Sequence, residues 1–198
     1  MVYKKTLLYQ LILKRRSIRL FKQKKVPLSV IKKVINAARC APSAANLQFL
    51  EYLVVDEQEL KEKIFPHIRW GGYVYPRRVP RRNQRPESYI FILINREKSK
   101  KPELRDVGAA AENILLSLVS FGLGGCWIIS LNRGMLRKIL NIPQKYKIDS
   151  LIACGYGGEH PVLEEKDQVK YWLDKTNRLH VPKRPLKKMF HHNSIVEK

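Results

Sequence analysis

The sequence predicts an α+β fold. Apolar runs of strand length stand at 50–55, 88–94, 126–129 and 148–156. Segments with the 3.6-residue helical period lie between them. Few of these runs have the strand–helix–strand spacing of crossover units, which disfavours a doubly wound parallel sheet. At 198 residues the chain fits one domain, or one lobe of an obligate dimer.

Residues 5–16 read as a first helix, with Leu8, Leu11 and Ile12 on one face. Val26-Pro27-Leu28-Ser29 is a helix entry, with proline near the first turn. That helix runs to about Arg39, and Leu28, Ile31, Val34, Ile35 and Ala38 form its buried face. Pro42 stops it, and 41–48 is a loop of small and polar residues. Leu50–Val55 is a strand and Glu57–Ile64 a short helix. The stretch from Pro66 to Pro86, rich in arginine, glycine and proline, is irregular and long enough to be a lid or binding loop. Ser88–Ile94 is a strand buried on both faces. Asp106 is a plausible N-cap for a helix over 107–121, apolar nearly all round. Such a helix is central or lies on a partner subunit. Gly122 suits its left-handed cap. Then come a strand at Cys126–Ile129, a helix at Arg133–Leu140 closed by Pro143, and a strand at Ile148–Tyr156. The remainder, 162–198, is a polar tail.

Apolar residues make up 44% of the chain and charged residues 28%. No apolar run approaches the ~20 residues of a spanning helix. The N-terminal run Thr6–Leu13 is followed by Lys14-Arg15-Arg16 and not by a small-residue cleavage site, so a cytoplasmic protein is expected. Cys40, Cys126 and Cys154 are widely spaced and include no CxxC pair, and three buried, reduced thiols are the expectation. No metal site is expected: His191-His192 lacks partner ligands at metal spacing. Net charge is +22, from 39 Lys and Arg against 17 Asp and Glu. That invites a nucleic-acid reading. The cations are spread along the chain, with no zinc-finger spacing, RNP-like motif or recognition helix, and this weighs against nucleic acid. A basic protein can instead collect small anions.

Two segments carry candidate chemistry. Arg15-Arg16-Ser17-Ile18-Arg19 places three guanidinium groups and a hydroxyl within five residues. Guanidinium forks bind phosphate and carbonyl oxygens in pairs. On its own the motif reads equally as an anion clamp or a solvated basic turn. In Ala41-Pro42-Ser43-Ala44-Ala45-Asn46-Leu47-Gln48, a backbone free of bulky side chains can lie flat against a planar ligand. Its carboxamides both donate and accept, which suits the polar edge of an isoalloxazine or similar ring. The same residues also suit an ordinary loop after a helix.

Taken together, these segments resemble the nitroreductase family, whose N-terminal pattern is a basic pair, Ser-x-Arg/Lys, a helix, and Ala-Pro-Ser-x-x-Asn-x-Gln. The resemblance continues through Arg85-Pro-Glu-Ser-Tyr-Ile-Phe-Ile-Leu-Ile94, Asp106–Leu116, Gly122-Leu-Gly-Gly-Cys-Trp127, Ile142-Pro143, Ile152-Ala-Cys-Gly-Tyr156 and His180-Val-Pro-Lys-Arg-Pro185, so it spans roughly residues 10–188. Each motif is weak alone; the ordered series is specific. The chain departs from the family at Phe49-Leu50, where Pro-Trp is common, at Ala44, where a second serine is common, and in the arginine-rich loop 77–85.

The resemblance implies a central, mostly antiparallel sheet flanked by helices, in an intertwined homodimer. Residues 1–198 would form one FMN-binding domain, its C-terminal arm (about 162–198) packing on the partner subunit. Flavin would lie between the subunits. By the same resemblance, Arg15, Arg16, Ser17 and Arg19 would hold the phosphate, ribityl chain and pyrimidine edge of FMN. Pro42, Ser43, Ala44 and Asn46 would come from the other subunit, with Gln48 near the ring's polar edge. Ile129, Ser130 and Leu131 would run past the reactive nitrogen, and Lys183 and Arg184 would complete the phosphate site.

The implied activity is an FMN-dependent oxidoreductase passing electrons from NADH or NADPH to a nitroaromatic, quinone or similar small acceptor by a ping-pong mechanism. No catalytic side chain is assigned, since the flavin does the redox chemistry. Other flavin chemistry within the superfamily, such as dehalogenation or flavin breakdown, is one alternative; a non-enzymatic basic nucleic-acid-binding protein is another. Gly155-Tyr-Gly-Gly158 and Gly122-Leu-Gly-Gly125 lack the strand–turn–helix setting of a dinucleotide fingerprint. Cys126 opens an apolar strand with no evident base nearby, so an inert thiol is expected.

Overall fold

Four strands build one antiparallel sheet, and each is a run in which alternate residues meet different helices. The computed structural model describes residues 7–195. In chain order the elements are α1 (Leu7–Lys14), α2 (Leu28–Arg39), β1 (Leu50–Val55), α3 (Gln58–Ile64), β2 (Ser88–Asn95), α4 (Leu104–Ser120), β3 (Gly124–Ile128), α5 (Arg133–Ile139), β4 (Tyr146–Gly155), β5 (Val162–Glu165), β6 (Trp172–Leu173) and β7 (Leu179–Lys183).

The main sheet has the order β1-β2-β4-β3, antiparallel throughout. Every residue of β2 is buried, which explains its unbroken apolar run. Ile90, Ile92 and Ile94 face α2 and α4, against Ile31, Val34, Ala111 and Ile114. Tyr89, Phe91 and Leu93 face the opposite layer, where Ile64, Phe65, Trp70 and Leu136 pack. Burying each such side chain contributes about 1.5–3 kcal/mol. The pairing of β2 with β4 shifts between Ile92 and Leu93, so Asp149 is an extra residue on β4.

The helix over 28–39 buries Ile31, Val34 and Ala38 as expected, whereas Leu28 is exposed. The predicted first helix began at residue 5; residues 5 and 6 lie outside the described residues, and α1 spans Leu7–Lys14. The long apolar helix begins earlier than expected. Its N-cap is Glu103, whose carboxylate accepts the Arg105 N–H at 3.0 Å, and Asp106 lies in the first turn instead. Freed from capping, the Asp106 carboxylate bonds elsewhere, as described below. Gly122 takes the left-handed conformation (φ 71°) just after α4. Asn141 (φ 49°), and not Pro143, turns the chain after α5.

Two expectations are corrected by packing. Cys40, at the end of α2, is exposed, so only Cys126 and Cys154 are buried thiols. The tail is not merely polar: β5 pairs in parallel with β7, and β6 pairs with β7 antiparallel. His180 holds this small sheet together. Its ring stacks on Trp172 at 4.3 Å, Nδ1 meets Glu164, and Nε2 lies 3.0 Å from Asp174. Asp174 in turn accepts the N–H groups of Thr176 and Arg178, each at 2.8 Å, and closes the turn into β7.

No helix among the described residues is long and apolar enough to cross a membrane. Yet α1 buries none of its residues, and Leu7, Leu8, Tyr9, Ile12 and Leu13 are all exposed.

Candidate functional site

The small-residue loop is shaped by α4. Asp106 is 6% exposed, and its carboxylate accepts the Ser43 hydroxyl at 2.7 Å and the Ala44 N–H at 3.0 Å. Ser43 Oγ then accepts the Gln48 N–H at 3.1 Å. Ala45, Asn46 and Gln48 are held in the left-handed region, at φ 49°, 54° and 47°. Such a conformation costs an L-residue about 1–2 kcal/mol and persists where surrounding bonds enforce it. Pro42, Ser43 and Gln48 line a cleft of about 210 Å³ beside Tyr52 and Lys98.

The basic segment runs in extended form along the edge of β3. Ser17 bridges to Gly125, and the Ile18 N–H donates to the Gly125 carbonyl at 3.0 Å. Gly124 admits this approach: a Cβ there would stand 2.6 Å from Ile18 Cγ1. Arg15 reaches toward α4, its Nε 3.4 Å from Glu112. That pair is part-exposed and worth at most about 1 kcal/mol, so it aims Arg15 more than it stabilises the fold. Arg16 goes elsewhere, donating to the Leu13 carbonyl at 2.6 Å and to the Arg15 carbonyl. Burial and the neighbouring Arg15 charge lower its pKa. The backbone of Arg19 donates to Glu159 Oε1 at 2.6 Å, and its guanidinium lies 5.1 Å from the Tyr171 ring centroid.

Residues 129–131 leave the end of β3. Arg133 fixes their path, donating to the Ile129 carbonyl at 3.0 Å, to Ile148 at 3.0 Å and to Asp149 at 2.7 Å, across the bulge in β4. The Ser130 carbonyl accepts the Arg69 N–H at 3.1 Å. Ser130 and Leu131 line a cleft of about 770 Å³, walled by Phe65, Arg69, Trp70 and Tyr75 from the 65–79 stretch. The irregular segment is therefore one wall of this cleft. Within it, Arg78 and Arg85 are not solvated charges. Arg78 pairs with buried Glu159, and Arg85 pairs with Glu62 while lying 3.8 Å from the Phe65 ring centroid.

The expected site residues thus fall into separate places within one chain. Pro42, Ser43 and Gln48 share one cleft, Ser130 and Leu131 line a second, and Arg16 lines a third, of about 490 Å³. Ala44 and Asn46 belong to the pinned loop, and Ile129 is exposed. Lys183 ends β7, and Arg184 follows with its Nε 3.9 Å from Asp167. Both sit with the tail sheet and line none of these clefts. Sequence reading held no hint of Glu159, placed Arg133 only as a helix start, and gave Asp106 the task of a cap that Glu103 performs. No local signal marked the two carboxylates, because their partners lie far away in sequence: Arg19 and Arg78 for Glu159, and Ser43 for Asp106. Cys126 is buried, and burial pushes its thiol pKa up, as an inert thiol requires. Among the described residues no group of His, Cys, Asp or Glu is placed to hold a metal ion.

A model of the nitroreductase family matches residues 12–156. The chain is 31% identical over 153 residues to a putative NADH dehydrogenase/NAD(P)H nitroreductase of Methanothermobacter thermautotrophicus, covering 74% of this chain and 75% of the relative. It is 29% identical over 165 residues to a protein of the same description from Archaeoglobus fulgidus, covering 80% and 90% respectively. Among solved structures it resembles an FMN-dependent nitroreductase from Clostridium difficile, with 27% identity and a TM-score of 0.66 over 93% of this chain and 98% of that one.

Proposed function

The chain belongs to the nitroreductase family, and we propose that it is an FMN-dependent oxidoreductase that draws electrons from NADH or NADPH and works as an intertwined homodimer. The observation that carries this reading is the separation of its two half-sites. The pinned loop at 42–48 and the exit of β3 at 129–131 line different clefts of one chain. A second copy, bringing its loop 42–48 against the 15–19 and 129–131 segments of the first, completes one site from two halves. The exposed apolar face of α1, together with Leu186, Met189, Phe190 and Ile195 of the arm, supplies surface for that copy to cover.

The donor chemistry fits FMN. Arg15 and Ser17 offer charged and neutral donors to a phosphate. Lys183 and Arg184 reach the same phosphate from the arm. Arg19 stands for the pyrimidine edge, where a cation stabilises negative charge. Among the described residues, the N–H groups of Ser130 and Leu131 have no backbone acceptor, and they are the donors offered to the ring's reactive nitrogen. Asn46 and Gln48, set by the Asp106 bonds, present carboxamides to the ring edge. FMN held there would supply the redox chemistry between a nicotinamide donor and a nitroaromatic, quinone or similar acceptor, the two substrates being served in ping-pong order. Phe65, Trp70 and Tyr75 give the 770 Å³ cleft the aromatic wall that such planar acceptors require.

The test is optical. Purified protein is expected to be yellow, with about one FMN per chain, and to oxidise NADH or NADPH when a nitroaromatic is added. Colourless protein that takes up no added FMN would overturn the reading.

A further inference from the structure

One aromatic ring of the arm touches two parts of the proposed site. Tyr171 lies between β5 and β6, directly before Trp172. The Arg19 guanidinium carbon stands 5.1 Å from the centroid of its ring. The Tyr171 hydroxyl donates to the Gly71 carbonyl at 3.2 Å and accepts the Tyr73 N–H at 3.3 Å. The Tyr73 ring meets it edge-on, with centroids 5.0 Å apart. Gly72 makes room for this approach: a Cβ there would stand 2.4 Å from the hydroxyl oxygen.

Each contact leads to a working surface. The turn at 71–74 is closed by the Val74 N–H, which donates to the Gly71 carbonyl at 2.8 Å. Trp70 and Tyr75 flank that turn, and both wall the 770 Å³ cleft. On the other side, Glu159 fixes only the backbone of Arg19. Among the described residues, the Arg19 guanidinium makes no ion pair and no hydrogen bond, and Tyr171 is what holds it. An aromatic ring attracts a guanidinium without consuming its N–H donors or neutralising its charge. A carboxylate partner would do both. Arg19 is therefore held in place with its charge and its donors free for a ligand.

We propose that Tyr171 is a positioning residue, which holds Arg19 for the pyrimidine edge of the flavin and ties it to the wall of the acceptor cleft. The proposal rests on the FMN reading and on the place of Arg19 in it. The ring and the hydroxyl have separate tasks. The ring sets the cation that stabilises negative charge on reduced flavin, and the hydroxyl sets the turn between Trp70 and Tyr75.

The experiment measures the reduction potential of the FMN-loaded protein and the KM for a nitroaromatic acceptor. Tyr171→Leu removes ring and hydroxyl. It should weaken the binding of reduced FMN about ten-fold relative to oxidised FMN, which makes the potential about 30 mV more negative for a two-electron couple. Tyr171→Phe keeps the ring and should retain the wild-type potential, while the acceptor KM rises about five-fold with the loss of the hydroxyl bonds. In an Arg19→Ala background, Tyr171→Leu should move the potential no further. Tyr171→Met, also without a ring, replaces Tyr171→Leu if that variant does not fold. A wild-type potential in the ringless variant, an equal shift in Tyr171→Phe, or a full further shift on top of Arg19→Ala would overturn the proposal. Protein that takes up no FMN would overturn the FMN reading and this proposal with it, and that outcome shows before any potential is measured.

Discussion

Arg78 and Glu159 form an ion pair at 3.4 Å with both side chains buried, 7% and 6% exposed. The pair ties three stretches that are far apart in sequence. Glu159 holds the N–H groups of Arg19 and Leu20, and Arg78 also donates to the Asn177 carbonyl in the tail. Breaking a buried pair from one side strands the other charge, at a cost of about 3–5 kcal/mol. Glu159→Ala should therefore lower the urea midpoint sharply, and Arg78→Ala should do nearly the same. The double variant should cost less than the sum of the two, and equality with that sum would show that the charges do not act on each other.

Asp106 sets the shape of the half-site that a partner would receive. Asp106→Ala removes the acceptor for the Ser43 hydroxyl and the Ala44 N–H. Hydrogen bonds to a charged group are worth about 1.5–3 kcal/mol each. FMN binding should weaken at least ten-fold, while the far-ultraviolet spectrum stays native, because α4 keeps its Glu103 cap. Fluorescence quenching of added FMN measures the change. Asp106→Asn, which keeps one acceptor oxygen, should fall between.

Much of this arrangement was legible in the chain. Ile90, Ile92 and Ile94 alternate with Tyr89, Phe91 and Leu93, and both sets are apolar, so a central strand with two covered faces could be read directly. Ile31, Val34 and Ala38 marked one face of α2 by their period. The ordered motifs at 15–19 and 42–48 pointed to the family. What stayed hidden depends on long-range pairing. Asp106 looks like a helix cap until Ser43, 63 positions away, is seen beside it. Arg78 reads as one more surface cation until Glu159 is found under it. The small sheet of the tail escaped notice because β6 has two residues and no local period can reveal it.

The small sheet should respond to pH through His180. Hydrogen bonds to Asp174 and then Glu164 raise its pKa above the usual histidine value of 6.5. A folded-state pKa raised in this way adds stability that is complete below about 6.5 and is lost as pH rises through the folded value. Asp174 and Glu164 shift the other way: bonds from Arg178, His180 and Thr176 lower the first, and Lys166 and then His180 lower the second. Their contribution is complete above their usual values near 4 and fails as pH falls further. Protection of residues 162–183 in hydrogen exchange should therefore peak between about pH 5 and 6.5 and decline on both sides. In His180→Gln the alkaline decline should vanish; if it persists, another group controls the arm.

Ala45 carries strain that no side chain of its own offsets. It sits at φ 49°, ψ 21°, between Ala44 and Asn46, in a turn that the Asp106 bonds enforce. A left-handed alanine costs about 1–2 kcal/mol, and glycine occupies the same region without that cost. Glycine also makes the unfolded chain more flexible, which takes back about 0.4–1 kcal/mol. Ala45→Gly should therefore raise the urea midpoint by about 0.5–1 kcal/mol in equivalent free energy. Ala45→Val should lower it, since a β-branched residue tolerates positive φ worst. The pair of variants also reports on function. If the strain presents Asn46 and Gln48 to the flavin, Ala45→Gly should bind FMN more weakly despite its greater stability. Unchanged FMN affinity in Ala45→Gly would mean that the Asp106 bonds alone hold the loop in its binding shape.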